Sequence, residues 1–209
     1  MRVVMKCFLL FIFAAVVCFC KPVFAQGWDA KLLNKINPEN PNSQYWINTS
    51  NSVYWASAAV PAGSLIYGLI SGDEKAKHSS FDLFLSLGAN MLVTDLMKKS
   101  FNRTRPGDKY PNMIYPVSPT TDMSMPSGHT SMAFATATTL SLQYKKWYVT
   151  VPAYAWAASV GYSRMYLGKH YPSDVLGGAA LGIGAGYASH WLNRKLFKRY
   201  YTTPKPYAY

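Results

Sequence analysis

Three short stretches of this 209-residue chain gather side chains that could move a phosphoryl group. In the first, KKSFNRTRP, Lys98 and Arg105 offer a mobile point charge and a planar fork of donors, two ways of gripping phosphate oxygens. In the second, MPSGHT, Ser127 stands where it would cap a helix and Gly128 lets backbone approach a ligand. The free N–H groups of such a helix start form an anion site. His129 stands at its mouth, where it could give a proton to a leaving group. In the third, SRMYLGKHYPSD, Arg164 adds a second guanidinium. His170 and Asp174 flank the start of a helix to whose first turn Pro172 is suited. A carboxylate at Asp174 would hold one ring nitrogen of His170 and leave the other unprotonated, ready to attack. Taken singly, these are a solvated basic run and a capping serine beside a chance histidine. Taken together, they supply what metal-free phosphoryl transfer needs: clamps on the equatorial oxygens, an in-line nucleophile and an acid on the far side.

Such groups need elements to hold them at one place. Five helical stretches occur, at about 52–71, 81–97, 130–144, 147–162 and 175–191, uncharged except for Asp82 and Asp95 near the ends of the second, and no alternating strand pattern of any length. The fold expected is all-α, a bundle of five core helices. The runs are about the minimum length for spanning a bilayer, and the mean hydropathy of the chain is only −0.02. A soluble bundle with buried helices would also fit those lengths. Two features favour a membrane. Gly178, Gly182 and Gly186 recur every fourth residue, a close-packing face common between membrane helices. The loop charges also alternate: the 72–80 link, Lys145-Lys146 and the tail with Arg194, Lys195, Lys198 and Arg199 fall on one side, the inside by the positive-inside rule. One outside loop breaks that rule with Lys98, Lys99, Arg103, Arg105 and Lys109, and a bound anion would give it a local reason. All three chemical segments then open to the outside.

The first residues belong to targeting. A basic start (Arg2, Lys6), the apolar run CFLLFIFAAVVCFC and Val23-Phe24-Ala25 read as a signal peptide over 1–25, with retention as an anchor the alternative. Either outcome leaves 26–51, a polar or interfacial lead-in with Trp28, Tyr45 and Trp46 as interface anchors, outside. The bundle follows over 52–195 and a basic tail over 196–209. Cys7, Cys18 and Cys20 all lie in the leader, so the exported part has no disulfide, thiolate metal site or cysteine nucleophile. The net charge of +12 would suit nucleic acid, an anionic membrane or an anionic substrate, and export argues against the first. His78 and His190 fall at the inner ends and are not site candidates. No metal-ligand spacing is present.

Lys98-x6-Arg105-Pro106, Pro126-Ser127-Gly128-His129 and Ser163-Arg164-x5-His170-x3-Asp174 together resemble the three-part signature of the type-2 phosphatidic acid phosphatase superfamily. The resemblance runs over about 52–191 and no signature position departs from it. It implies that His170 becomes a phosphohistidine, that Asp174 orients it, and that His129 protonates the leaving oxygen. Lys98, Arg105, Ser127, Gly128 and Arg164 would hold the phosphate, with no cofactor. The stretch YLGKHYPSDVLGG is similar to the membrane lipid-phosphatase branch, whose members often have six spanning helices against five here after the leader. The function expected is hydrolysis of a lipid phosphate or diphosphate in the bacterial inner membrane, at a periplasm-facing site. The partners expected are an anionic lipid and the membrane, with no nucleic acid and no obligate protein partner. Polyprenyl diphosphate, phosphatidylglycerol phosphate, phosphatidic acid and lipid A all remain open as head groups. The alternatives are a soluble periplasmic acid phosphatase, a vanadium haloperoxidase and a catalytically silent membrane binding module.

Overall fold

The computed structural model describes residues 25–197; most of the leader and most of the basic tail lie outside them. The helices are α1 (Ala25–Ile36), α2 (Gln44–Ser71), α3 (Glu74–Phe101), the single turn α4 (Pro106–Lys109), α5 (Gly128–Tyr144), α6 (Trp147–Tyr166) and α7 (Pro172–Leu196). No strand occurs among the described residues. The five expected core helices are α2, α3, α5, α6 and α7, so the all-α bundle stands.

Two boundaries differ from the sequence reading for local reasons. The 72–80 link is a tight turn rather than a loop. Gly72 ends α2 in the left-handed region (φ 67°), and the Asp73 carboxylate caps α3 by accepting from the Lys75 N–H at 2.9 Å. Helix α2 begins at Gln44 because its polar first turns find partners: Ser50 is buried beneath Arg164, and the Trp156 indole donates to Ser52 Oγ at 2.9 Å. At 28 residues each, α2 and α3 are about 42 Å long.

Helices α5 and α7 form the closest pair, and the Gly178–Gly182–Gly186 stripe is the reason. A Cβ at Gly178 would lie 2.6 Å from the Ser127 carbonyl oxygen, one at Gly182 would run into the Ser131 carbonyl oxygen, and one at Gly186 would lie 2.8 Å from Thr138 Cβ. Small residues let these backbones meet. The core between α2, α5 and α6 is equally small: Val53, Ala133, Ala137, Ala157 and Val160 are fully buried. Asp82 on α3 accepts from Ser189 Oγ at 2.8 Å and lies 2.8 Å from His190 Nδ1 on α7, locking the end of the bundle remote from the chemical segments.

The outside of the bundle is apolar. Ile70 is 83% exposed, Trp55 and Trp147 are each 77%, and Leu92, Leu96, Val151 and Leu176 also point outward. By length and composition one of the described helices, α2, qualifies as a membrane span, with mean hydropathy 1.4 over its most apolar window. The others are diluted by Ala, Gly, Ser and Thr, which pack inward.

The 26–51 lead-in contains α1. Ala30 and Leu33 on its inner face pack with Ile114 and Tyr171. Beyond the helix, Asn37 Nδ2 donates to the carbonyls of Tyr115 (3.0 Å) and Tyr166 (2.8 Å) and its Oδ1 accepts from Tyr115 N at 2.7 Å. That apolar i, i+3 spacing, continued by Asn37, was the only sequence signal for a docked helix here.

Candidate active site

The ends of α3 and α6 and the beginnings of α5 and α7 meet at one end of the bundle. They bring Lys98, Arg105, Ser127, Gly128, His129, Arg164, His170 and Asp174 into one cluster. The loop after α7's preceding turn carries His170, and the helix itself fixes Asp174. Pro172 occupies the first helical position, and Asp174 Oδ2 accepts from the Tyr171 N–H at 3.0 Å, closing the first turn. The Asp174 carbonyl accepts from the Ser127 N–H at 3.0 Å, which joins the start of α5 to the start of α7.

His170 is 1% exposed and its two ring nitrogens face opposite charges. Nδ1 lies 3.6 Å from Asp174 Oδ2, within ion-pair range but longer than a hydrogen bond. Nε2 lies 3.3 Å from Arg105 Nη1, which also donates to the Lys169 carbonyl at 2.7 Å. Because Arg105 only donates, the arrangement favours a proton on Nδ1 and leaves Nε2 unprotonated, its lone pair turned to Arg105. Burial, with Arg105 and Arg164 nearby, outweighs Asp174 and brings the His170 pKa down to about 4. The imidazole is therefore neutral at physiological pH.

The cations around it are held rather than loose. Arg164 Nη1 donates to Ser50 Oγ at 2.7 Å, while its Nε is buried without a hydrogen-bond partner among the described residues, a donor suited to a phosphate oxygen. Arg105 Nε donates to the Asp122 carbonyl at 3.0 Å, and the Asp122 carboxylate bridges the Arg105 guanidinium and Lys98 Nζ. Partial burial opposes the Asp122 charge, but Lys98 and Arg105 prevail and hold its pKa down to about 2. Lys169 donates to Ser118 Oγ at 2.8 Å and Thr120 Oγ1 at 3.1 Å and so anchors the loop that carries Asp122. Burial beside Arg164 and Arg105 lowers its pKa to about 8.

His129 lies within electrostatic reach of Arg164, His170, Lys98 and Arg105, and its ring meets Tyr54 edge-on with centroids 4.9 Å apart. Ser127 occupies the cap position of α5 as expected, but its hydroxyl pairs with Thr130 Oγ1 at 2.9 Å instead of a backbone N–H. Packing does not demand glycine at position 128: a Cβ there would meet nothing closer than Thr94 Cγ2 at 3.7 Å.

The structure separates the basic residues Lys98, Arg103 and Arg105 into two groups. Lys98 and Arg105 face the site, whereas Arg103 is turned inward to Asp174 and Asp29, so it is not an anion clamp. Sequence reasoning passed over Asp122, Ser124, Asp29 and Ser50. For Asp122 a signal existed, since it is the only acid between Asp108 and Asp174.

The PAP2 superfamily model matches residues 79–206, more than half of the chain. The chain belongs to the PAP2 superfamily. Among curated PAP2 relatives, the lipid A 1-phosphatase of Porphyromonas gingivalis is 39% identical over 104 residues, 48% of this chain and 21% of that protein. The chain thus spans about a fifth of that relative's length. Among solved structures, Aquifex aeolicus LpxE superposes with a TM-score of 0.60 at 29% identity, covering 78% of this chain and 92% of that one. A transmembrane PAP2 type phosphatidylglycerolphosphate phosphatase from Bacillus subtilis superposes with a TM-score of 0.64, covering 92% of this chain and 96% of that one. At 22% identity, the second likeness speaks to the PAP2 fold alone.

Proposed function

We propose that this PAP2 chain hydrolyses a phosphate or diphosphate monoester of a membrane lipid, with His170 as nucleophile. The observation that carries the reading is a buried imidazole whose Nε2 faces Arg105 while Nδ1 faces Asp174. His170 Nε2 attacks phosphorus as the bond to the lipid oxygen breaks, and His129 gives that oxygen its proton. Lys98, Arg105, Arg164 and the N–H groups of the α5 start neutralise the equatorial oxygens in the transition state. A water molecule, giving its proton to His129, then cleaves the phosphorus–nitrogen bond and releases orthophosphate. No step requires a cofactor.

The lipid part of the proposal is supported by the apolar exterior and by the names of relatives such as the lipid A 1-phosphatase. The purified chain in detergent micelles should release phosphate from at least one of polyprenyl diphosphate, phosphatidylglycerol phosphate, phosphatidic acid and lipid A. It should do so at a kcat/KM well above that for a short-chain phosphomonoester. A preference for the water-soluble ester by osmotically released protein would favour the periplasmic acid phosphatase instead.

We also place the site at the outer face of the inner membrane, after export directed by the leader. Lys145, Lys146, Arg194 and Lys195 lie at helix ends remote from His170, which supports this orientation. With the leader cysteines replaced, a cysteine at position 108 should react with a membrane-impermeant thiol reagent in intact spheroplasts. A cysteine at position 146 should react only after lysis, and the reverse pattern would overturn the outward-facing site.

A further inference from the structure

Behind Asp174, on the side away from His170, lies a buried network that the reaction scheme does not use. Arg103 Nη1 donates to Asp174 Oδ1 and, at 2.7 Å, to Ser173 Oγ. Its Nη2 donates at 2.8 Å to Asp29 Oδ2, and its guanidinium carbon lies 4.0 Å over the Tyr171 ring. Asp29, on α1, is fully buried; its Oδ1 accepts from the Ser173 N–H at 3.1 Å and its Oδ2 also accepts from Ser173 Oγ. Asp174 Oδ2, the oxygen that faces His170, is steadied separately by Ser124 Oγ and the Tyr171 N–H.

One guanidinium fork therefore spans two carboxylates that come from opposite ends of the sequence. Burying an arginine between two acids is costly unless its charge is matched, and here both terminal nitrogens of the fork reach a carboxylate. If Asp29 were absent, the whole Arg103 charge would fall on Asp174. The fork would also lose the partner that fixes its plane, and Asp174 would lose a rigid backing. Ser173, gripped on both its N–H and its hydroxyl, lies between Pro172 and Asp174 in the first turn of α7, so the grip also sets that turn against α1.

We propose that Asp29, acting through Arg103, is a positioning residue that holds Asp174 in register with the His170 ring, making α1 a working part of the active site. This rests on the reading of His170 as nucleophile. Neither Asp29 nor Arg103 touches the reacting atoms, so their removal should lower kcat and spare phosphate binding. Outer partners of catalytic groups typically cost about 10–100-fold when removed.

The test uses the full chain in detergent with the best lipid substrate. Asp29→Asn should lower kcat about 10–100-fold, with KM and the inhibition constant of orthophosphate changed less than about threefold. In an Asp174→Asn background, Asp29→Asn should add little further loss, because the two act in series. Arg103→Lys supplies the second variant should Asp29→Asn not fold: its charge is kept, but one ammonium cannot span both carboxylates. It should lose kcat by about tenfold or more with KM held. A folded Asp29→Asn or Arg103→Lys protein with parental kcat would overturn the proposal. So would a loss confined to KM, or full multiplication of the Asp29 and Asp174 losses. Activity surviving in His170→Ala would instead remove the nucleophile reading, a separate failure.

Discussion

His170→Ala should lower turnover of any lipid substrate by at least about 10³-fold while the protein still folds. No other nucleophile in the cluster has both an unprotonated ring nitrogen and a carboxylate behind it: Ser127 Oγ is paired with Thr130, and Lys169 is tied to Ser118 and Thr120. Folding should survive because the carboxylate left behind is not stranded. Asp174 keeps Arg103, Ser124 and the Tyr171 N–H as partners. The cost to stability is the cavity of one buried ring, about 2–4 kcal/mol by analogy with other large-to-small changes. Activity assays beside thermal unfolding in detergent separate the two effects. Appreciable activity in a folded His170→Ala protein would be incompatible with the mechanism.

His129→Ala should show a loss that depends on the leaving group. General acid catalysis is worth about 10²–10⁴-fold when the departing oxygen is a poor leaving group, as in an alkyl phosphate of a lipid. An aryl phosphate such as p-nitrophenyl phosphate departs without a proton, so its phosphorylation step should slow by less than about tenfold. Single-turnover measurements on both substrates isolate that step from the later hydrolysis, where His129 also acts as base. An equal loss on both would mean that His129 positions the phosphate or packs on Tyr54, and that the proton comes from elsewhere. The ring lies beside Arg164, Lys98 and Arg105, the cations that would hold the phosphate, so the leaving oxygen would be within its reach.

The clustering of the candidate residues was legible in the sequence because charged groups are rare in the helical stretches and these residues stand at helix ends. Lys98 and Arg105 follow the end of an apolar run, Ser127 and Gly128 precede one, and Pro172 and Asp174 carry the signals of a helix start. The core helices were legible for the same reason, in that charges bracket uncharged stretches. What escaped was long-range pairing. Arg103 sits two residues from Arg105 in a run of like character, and only the fold turns one inward to Asp29 and the other toward His170. Asp29 lies 145 residues from Asp174, and nothing in a local pattern links them. The start of α2 at Gln44 was hidden because Ser50 and Ser52 look like loop residues until Arg164 and Trp156 are seen to use their hydroxyls.

The central claim is that the phosphoryl group passes through His170. Brief mixing of the full chain with ³²P-labelled lipid substrate, quenched in base, should trap label on the protein that is stable to alkali and lost in acid. Peptide mapping should place it on His170. Label should be absent in His170→Ala and should persist longer in His129→Ala, where the water lacks its base. Label on a different residue, or turnover with no label at any quench time, would contradict the account.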